Sequence, residues 1–337
     1  MRRLVAVFCV AGGVALAEDV PARAEATPPA PQVRVARFAG DRPAALSYTF
    51  DDNLRDQYTL AVPMLNAVGF KGTFFVIAGK TAETPEEAGQ KDGKGNTRNL
   101  WGGISWPELK KMAEQGHEIA NHTWSHPSLA KLPPAEMEAE ISKAYEAIAT
   151  RIGRPPLTLA FPGNGSNPDV RAVALKRHVA YRAYQQSLSG KSTAGSLNAW
   201  ADRLVLEKKW GVLMAHGIAA GYAAMSDPEI FRAHVAHVKS RERDIWVDTF
   251  ARIACYEKER DDAKLTVSGG QGSVVCLLSG TLDPQVYTVP LTLCIAAPGA
   301  VSAAATRGGQ ALPAQVAEGA VLVDAVPGAQ PIEVSWR

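Results

Sequence analysis

Two acidic and two imidazole side chains stand at spacings that could hold a catalytic metal ion. Asp51 and Asp52 are adjacent, and His122 and His126 follow later in the chain, four positions apart. A mononuclear hydrolytic site takes about three protein ligands and keeps one position open for water, whose pKa the metal lowers to about 7. One aspartate with the two histidines supplies such a set, and the second aspartate could then take a proton from the water.

Each half of this pattern also has a purely structural interpretation. Two histidines four apart share one face if they lie on a helical turn, where they could grip one ion or simply be surface or capping residues. An aspartate after a strand can cap a helix, although a single aspartate would suffice for that purpose. Two adjacent carboxylates repel each other, and a bound cation explains the pair better.

Strand-like and helix-like segments alternate along residues 44–260. Apolar, β-branched runs predict strands at 45–50, 72–77, 117–120, 157–161, 180–184, 212–215 and 244–247, and helical spacing predicts helices at 57–68, 106–115, 134–151, 167–177 and 227–240. Repeated strand–helix units imply a parallel sheet, open or closed as a barrel, with sites at the carboxyl ends of its strands. The candidate residues directly follow predicted strands: Asp51-Asp52, His122 with His126, the Pro162-Gly163-Asn164-Gly165 turn, and His216.

The composition changes after about Asp262. The remainder has no helical period, many Val, Thr and Ala residues, and frequent Gly or Pro turns. These features predict a small β-sandwich over residues 263–337, after a catalytic domain over 44–262. We expect the sandwich to pack on the catalytic domain; carbohydrate binding is the alternative, for which only Tyr287 and Trp336 offer aromatic faces. Cys276 and Cys294 lie in segments expected to pair as neighbouring strands, and both a disulfide and two buried thiols remain open.

The N-terminus has the pattern of an export signal. Two arginines precede an apolar run from Leu4 to Ala17 that ends in small residues, and a second small-residue site ends at Ala26. We expect cleavage after Ala17 or Ala26, so that residues 1–26 are signal peptide and the start of a linker, and residues 27–43 are linker. The run is shorter than the ~20 apolar residues of a spanning helix. The mature protein is therefore expected to be secreted or periplasmic, without a membrane span.

The charged residues of the chain indicate which class of partner it binds. The chain has 36 Lys and Arg residues against 34 Asp and Glu residues. No basic stripe is interleaved with aromatic residues, so nucleic acid is not an expected partner. The near-equal numbers of basic and acidic residues indicate a neutral ligand. They do not indicate an oligomeric state.

Three motifs resemble those of the polysaccharide deacetylases, carbohydrate esterase family four with its NodB-type domain. Thr49-Phe50-Asp51-Asp52, His122-Thr-Trp-Ser-His126 and Leu213-Met-Ala-His216 are similar to the first, second and fifth motifs, in the same order. The resemblance implies a distorted (β/α) barrel with fewer than eight strands. It also implies a hydrolase of carbon–nitrogen (not peptide) bonds, or of esters in some members, that removes acetyl groups from an acetylated glycan.

The resemblance also implies roles for individual residues. Asp51 would be the general base, and Asp52, His122 and His126 would hold one divalent metal ion, usually zinc, with its bound water as nucleophile. His216 would be the general acid.

The resemblance further implies residues around the substrate. The backbone N–H of Gly163, after Pro162, would contact the oxyanion. Leu213 belongs to the fifth motif, and Trp124, between the two histidines, is the tryptophan we expect to contact a sugar.

The chain departs from the family pattern at three places. Asn53 stands where a glycine usually follows the aspartate pair, and asparagine tolerates a positive φ. The third motif reads Ala160-Phe161-Pro162-Gly163 and lacks the arginine that commonly steadies the base aspartate, and no convincing fourth motif lies between residues 181 and 206. Another group would therefore have to steady Asp51. The alternative function is a catalytically degraded glycan-binding protein that retains the barrel.

Overall fold

The computed structural model describes residues 31–90, 101–225 and 227–337. The predicted signal peptide lies outside these residues. In the parts of the chain that are described, no helix is long and apolar enough to cross a membrane.

The predicted linker ends in a strand. Strand β1 (Val33–Val35) pairs antiparallel with a strand of the C-terminal domain, Arg34 opposite Cys294. A 3₁₀ turn at Ala39–Asp41 follows it. The prediction of a linker over residues 27–43 is therefore wrong from Val33 onward, because these residues complete a sheet whose other strands lie far along the chain.

A parallel sheet forms the centre of the larger domain. Its strands are β2 (Ala44–Asp51), β3 (Gly72–Val76), β4 (Glu118–Asn121), β5 (Thr158–Ala160), β6 (Ala180–Arg182), β7 (Gln186–Ser187), β8 (Trp210–Ala215) and β9 (Ile245–Val247). Seven of them follow the order β6-β5-β4-β3-β2-β8-β7, and β9 pairs with β2 off this path. Every residue of β2 is buried, as expected for a central strand. The predicted distorted barrel is confirmed: its continuous path has seven strands, and β9 is an eighth beside β2.

Helices connect these strands and cover the sheet. They are α1 (Val62–Ala67), α2 (Pro85–Ala88), α3 (Trp106–Glu114), α4 (Pro134–Ile152), α5 (Pro168–Leu175), α6 (Ala194–Glu207), α7 (Pro228–Ser240) and α8 (Phe250–Asp262). A π-helical turn at Gln57–Ala61 leads into α1, and 3₁₀ turns lie at Ala78–Lys80, Leu129–Lys131 and Pro162–Asn164. The sequence patterns did not predict α6. Its N-terminus nevertheless carries a local signal, because Thr193 and Ser196 form a capping box there.

The C-terminal domain is a two-layer β-structure, as predicted. Its strands are β10 (Lys264–Gly270), β11 (Ser273–Ser279), β12 (Leu291–Ala296), β13 (Ala303–Arg307), β14 (Gln310–Leu312), β15 (Ala314–Ala317), β16 (Ala320–Ala325) and β17 (Ile332–Trp336). One sheet has the order β1-β12-β16-β15 and the other β10-β11-β17-β13-β14. Alternate residues of β11 are buried, which is typical of a strand with one face in a sandwich core.

The two domains share one apolar core. Trp246, Ile253 and Tyr256 of the larger domain pack in the same cluster as Val274 and Leu293 of the sandwich. The Tyr256 hydroxyl also donates a hydrogen bond of 2.9 Å to the carbonyl oxygen of Ala36. The sandwich therefore buries one side of the larger domain.

The three cysteines within the described residues are free thiols. Cys276 lies on β11 and Cys294 on β12, and both are buried. The expectation that their segments pair as neighbouring strands is wrong, because β11 and β12 belong to different sheets. Burial raises the pKa of Cys276 to about 11 and that of Cys294 to about 12, so both stay protonated at neutral pH.

Candidate active site

The site residues converge because neighbouring parallel strands end at the same edge of the sheet. Asp51 is the last residue of β2, His122 directly follows β4, and His216 directly follows β8. In the order β4-β3-β2-β8, β2 and β8 are adjacent and only β3 separates β4 from β2. The candidate residues therefore lie at the carboxyl ends of parallel strands, as predicted.

Asp52, His122 and His126 form a compact group of possible metal ligands. One ligand atom from each lies within 4.8 Å of the others. The Oδ1 atom of Asp52 is 3.5 Å from Nε2 of His122 and 3.3 Å from Nε2 of His126. This oxygen is buried and has no hydrogen-bond partner among the described residues. A buried carboxylate oxygen without a donor is costly unless a cation faces it, so the residues fit one divalent ion.

The histidines present their Nε2 atoms to this position. Nδ1 of His122 lies 2.8 Å from the carbonyl oxygen of Ala160, which can accept a hydrogen bond only from a protonated nitrogen. Nε2 of His122 then carries the lone pair, as a metal ligand requires. Burial, together with the neighbouring His122, lowers the pKa of His126, which favours the neutral imidazole that binds metals.

The two histidines lie on a loop and not on a helical turn. Thr123 and His126 both have φ of 69°, a left-handed conformation that costs energy for residues other than glycine. Two hydrogen bonds hold it: Asn121 Oδ1 accepts from Thr123 N at 2.8 Å, and Thr123 Oγ1 accepts from His126 N at 3.1 Å. The condition for a shared helical face is therefore not met, and the loop instead turns both rings toward Asp52.

Asn53 takes the place of the usual glycine without losing the turn. Its φ is 43° and that of Asp52 is 72°. Its side chain accepts from Ile77 N at 3.2 Å and donates to Thr81 Oγ1 at 3.1 Å. The predicted tolerance of asparagine for a positive φ is confirmed, and the amide also ties the loop after β2 to the loop after β3.

Arg182 at the end of β6 binds both carboxylate oxygens of Asp51. The distances are 2.7 Å from Nη1 to Oδ1 and 2.5 Å from Nη2 to Oδ2. Nη1 also donates to Thr49 Oγ1 at 3.0 Å, and the guanidinium carbon lies 5.0 Å from the centre of the Phe75 ring. Both charged side chains are almost fully buried. Burial alone raises the pKa of Asp51, but Arg182 outweighs it and leaves this pKa below its ordinary value.

The sequence patterns did not identify Arg182. Along the sheet, β6 is four steps from β2, so the two residues meet only because the sheet curves into a barrel. One signal was present: an arginine lies within the strand predicted at 180–184, close to the carboxyl end at which sites are expected.

His216 is held through its backbone. Gln57 Nε2 donates to the carbonyl oxygens of Asp51, at 2.6 Å, and of His216, at 2.9 Å. Nε2 of His216 lies 3.8 Å from Oδ2 of Asp52, while its Nδ1 is buried without a hydrogen-bond partner in the described part of the chain. Asp56 accepts from the N–H groups of residues 218–220 and so fixes the loop after His216.

A cavity of 630 Å³ opens over the site. It is lined by Asp51, Asp52, the three histidines and Gly163, together with Phe161, Met214, Trp101 and Tyr222. Gly163 has φ of 60°. Trp101 lies 4.7 Å from the His126 ring and Tyr222 lies 4.9 Å from the His216 ring, centre to centre. Two exposed aromatic side chains thus flank the cavity.

Three predicted substrate contacts are absent from the cavity wall. Trp124 packs on Gly79, where a Cβ atom would lie 2.6 Å from the indole. Leu213 is part of the apolar core, because its side chain points away from the site and that of Met214 points into it. Pro162 is buried at the start of its turn, and only Gly163 reaches the cavity.

Trp101 reaches the site through a close backbone approach. Gly102 has φ of 80°, and its N–H donates to the carbonyl oxygen of Asp52 at 3.3 Å. A Cβ atom at Gly102 would lie 1.6 Å from the carbonyl oxygen of Lys80. Only glycine fits at this position. Gly102 therefore allows Trp101 to lie beside the possible metal ligands.

Residues 40–181 match the family model described as polysaccharide deacetylase. This match lies mostly in the barrel domain and confirms its predicted resemblance to the polysaccharide deacetylases. The chain is also similar to a gellan lyase of Bacillus sp, with 23% identity over 319 residues that cover 83% of this chain and 12% of that protein. Chitin deacetylase 1 of Cryptococcus neoformans is 26% identical over 153 residues, which cover 45% of this chain and 28% of that protein.

A family 4 carbohydrate esterase from Streptomyces lividans, solved in complex with acetate, aligns with a TM-score of 0.44 and 18% identity. The alignment covers 60% of this chain and 91% of that one. The chain spans less than a third of the length of each of the two curated relatives above.

Proposed function

We propose that this protein is an exported, metal-dependent hydrolase that removes acetyl groups from an N-acetylated, or O-acetylated, polysaccharide. The observation that carries the proposal is the buried Oδ1 of Asp52, which faces two imidazole Nε2 atoms and lacks a hydrogen-bond donor among the described residues. Asp51 and His216 line the same cavity. The similarity to a protein named chitin deacetylase 1 favours an N-acetylated glycan as substrate.

Asp52, His122 and His126 would hold the ion, for which zinc is our expectation because two imidazoles and a carboxylate are a ligand set that it accepts. When bound, such an ion polarises an acetyl carbonyl and lowers the pKa of water.

Asp51 would act as the general base. Arg182 keeps its carboxylate ionised, which a base requires. A carboxylate has about four lone-pair positions, and the two bonds from Arg182 leave the others free to accept a proton from water.

His216 would act as the general acid. Its ring borders the cavity, so its Nε2–H can be donated to the leaving nitrogen or oxygen of the sugar. The backbone N–H of Gly163 would stabilise the developing oxyanion, a contribution that is commonly large in acyl transfer.

The alternative, a degraded glycan-binding protein, rested on the missing motif arginine. Arg182 makes the bidentate contact to Asp51 that such an arginine would make. The reason for preferring a binding protein is thereby removed, and the enzyme is the better proposal.

An acetate-release assay tests the proposal on a panel of acetylated xylan, chitin oligomers and peptidoglycan. We expect zinc-loaded protein to release acetate from at least one of them. Asp51→Asn should lower that rate by about 10²–10⁴-fold, because a positioned general base contributes on that scale, while zinc binding is retained.

Asp169→Asn is the matched control, because Asp169 is exposed on α5. Full activity of Asp51→Asn would exclude the base assignment. A protein that binds one of these glycans and frees no acetate would be the glycan-binding protein instead.

A further inference from the structure

A second cavity, of 310 Å³, lies where the end of α8 meets the sandwich. Glu259 and Asp262 of α8 line it, together with Tyr287, Pro284 and Pro327 and the small residues around them. Two of its lining residues are acidic and none is basic. It shares no lining residue with the catalytic cavity.

Glu259 has an unused acceptor in this cavity. Its side chain is buried, with 2% of the residue exposed. Oε1 accepts a hydrogen bond from Val289 N at 2.9 Å, but Oε2 has no partner among the residues described. Burial raises the pKa of Glu259 to about 7, because a buried carboxylate without sufficient partners is costly in its charged form.

Asp262 differs from Glu259 in having its oxygens occupied. They accept hydrogen bonds from Thr281 Oγ1 at 2.6 Å, from Thr281 N and from Leu282 N at 3.3 Å. Asp262 therefore contributes negative charge to the cavity, while Oε2 of Glu259 is a buried carboxylate oxygen at the cavity wall without a partner among the described residues.

This arrangement suits an organic ammonium better than a metal ion. Ca²⁺ takes about six to eight oxygen ligands, and one unpartnered carboxylate oxygen is far from such a set. An ammonium group brings three donors and a positive charge, and a charge-assisted hydrogen bond to a carboxylate is about twice as strong as a neutral one. Tyr287, Pro284 and Pro327 add apolar faces against which a ring can pack.

We propose that this cavity binds the ammonium-bearing sugar unit that N-deacetylation leaves behind, with Glu259 Oε2 as acceptor of its N–H groups. The proposal rests on the proposed function, because a sugar ring with a free amine is the product of that reaction. Since the two cavities share no residues, the protein could hold deacetylated glycan while the catalytic cavity takes an acetylated unit.

Calorimetric titration of the full chain with a tetramer of β-1,4-linked glucosamine tests this site. Cellotetraose, which has the same ring and linkage but no amine, is the probe that should not bind there. Glu259→Gln keeps an acceptor for Val289 N and removes the charge, so it should weaken one glucosamine-tetramer binding event at least about tenfold. Glu318→Gln, an exposed change on the far loop between β15 and β16, is the matched control and should keep that event.

A second variant blocks the cavity without changing its charge. Ala329 is exposed at the rim, so Ala329→Trp should fill the cavity and also remove the binding event. Melting temperatures near that of the unmodified protein confirm that both variants are folded. Glucosamine-tetramer affinity that is unchanged in both variants would overturn the proposal.

Acetate release separates this proposal from the proposed function. Both variants should release acetate from a short soluble substrate at the unmodified rate, because neither residue lines the catalytic cavity. If the unmodified protein releases no acetate but binds the glucosamine tetramer through Glu259, the proposed function fails and the amine site stands. If acetate is released and the tetramer binds independently of Glu259, the amine site fails alone.

Discussion

Replacing Arg182 with methionine should damage both the stability and the activity of this protein. Methionine has a similar length and fits beside Phe75, but it removes both hydrogen bonds to Asp51. The Asp51 side chain lines the cavity but is only 5% exposed, so water can replace only part of what the two donors supply. The carboxylate then either stays charged without a partner or takes up a proton.

The size of the effect follows from this burial. Breaking a buried ion pair by removing one partner costs about 3–5 kcal/mol. For a domain of this size, that corresponds to a drop in melting temperature of roughly 10 °C. Displacing or protonating the base should also lower the rate of acetate release about 10²-fold or more.

The matched control is Arg177→Met, the same substitution five residues earlier. Arg177 pairs with Glu146, but the two side chains are 43% and 63% exposed. An exposed pair of this kind contributes about 0–1 kcal/mol. Arg182→Lys keeps the charge without the bidentate geometry, so it should restore part of the stability and less of the activity.

Thermal unfolding and acetate release are measured on all three variants, and on Asp51→Asn with and without Arg182→Met. Because the side chain of the Asp51→Asn variant is uncharged, losing Arg182 should cost less in that background, which a double-mutant cycle measures as coupling. If Arg182→Met has the same melting temperature and rate of acetate release as Arg177→Met, the assignment of Arg182 as the group that holds Asp51 in place is refuted.

Two further results are expected. Zinc at about 100 times its dissociation constant should stabilise the folded protein by about 2.7 kcal/mol, seen as a rise in melting temperature; Asp52→Asn should abolish this rise, and an equal rise in the variant would contradict the ligand assignment. Burial lowers the pKa of His117, His178 and His234 to about 4, below the usual 6.5. As the pH falls, these histidines therefore take up protons in the unfolded chain before they do so in the folded one. The free energy of unfolding should therefore fall as the pH drops from about 6.5 toward 4, by about 1.4 kcal/mol per pH unit for each net proton taken up on unfolding. The raised pKa of Glu259 acts in the opposite direction. Urea unfolding should show a shallower dependence of this free energy on pH for His234→Gln, and an unchanged dependence would exclude His234 as a contributor.

Local sequence patterns were enough to predict the sheet and the cluster of possible metal ligands. Strand and helix periods are properties of short segments, and parallel strands place their carboxyl ends together whatever their exact order. Asp52, His122 and His126 could thus be named without knowing which strands are neighbours. The spacing of the two histidines did not show whether they lie on a helical turn. Hydrogen bonds to the side chains of Asn121 and Thr123 hold a left-handed loop there.

The sequence by itself determined the fold class, the strand ends at which the candidate residues lie and the set of possible metal ligands. The tertiary structure alone decided which distant residues meet there. Arg182 reaches Asp51 across a curved sheet. Trp101, and not Trp124, lines the cavity because Gly102 allows a close backbone contact. Strand β1 joins a sheet whose other strands lie far along the chain. Contacts of this kind depend on strand order, curvature and packing. Spacing along the chain does not encode them, because it describes only neighbours within one strand or one helical turn.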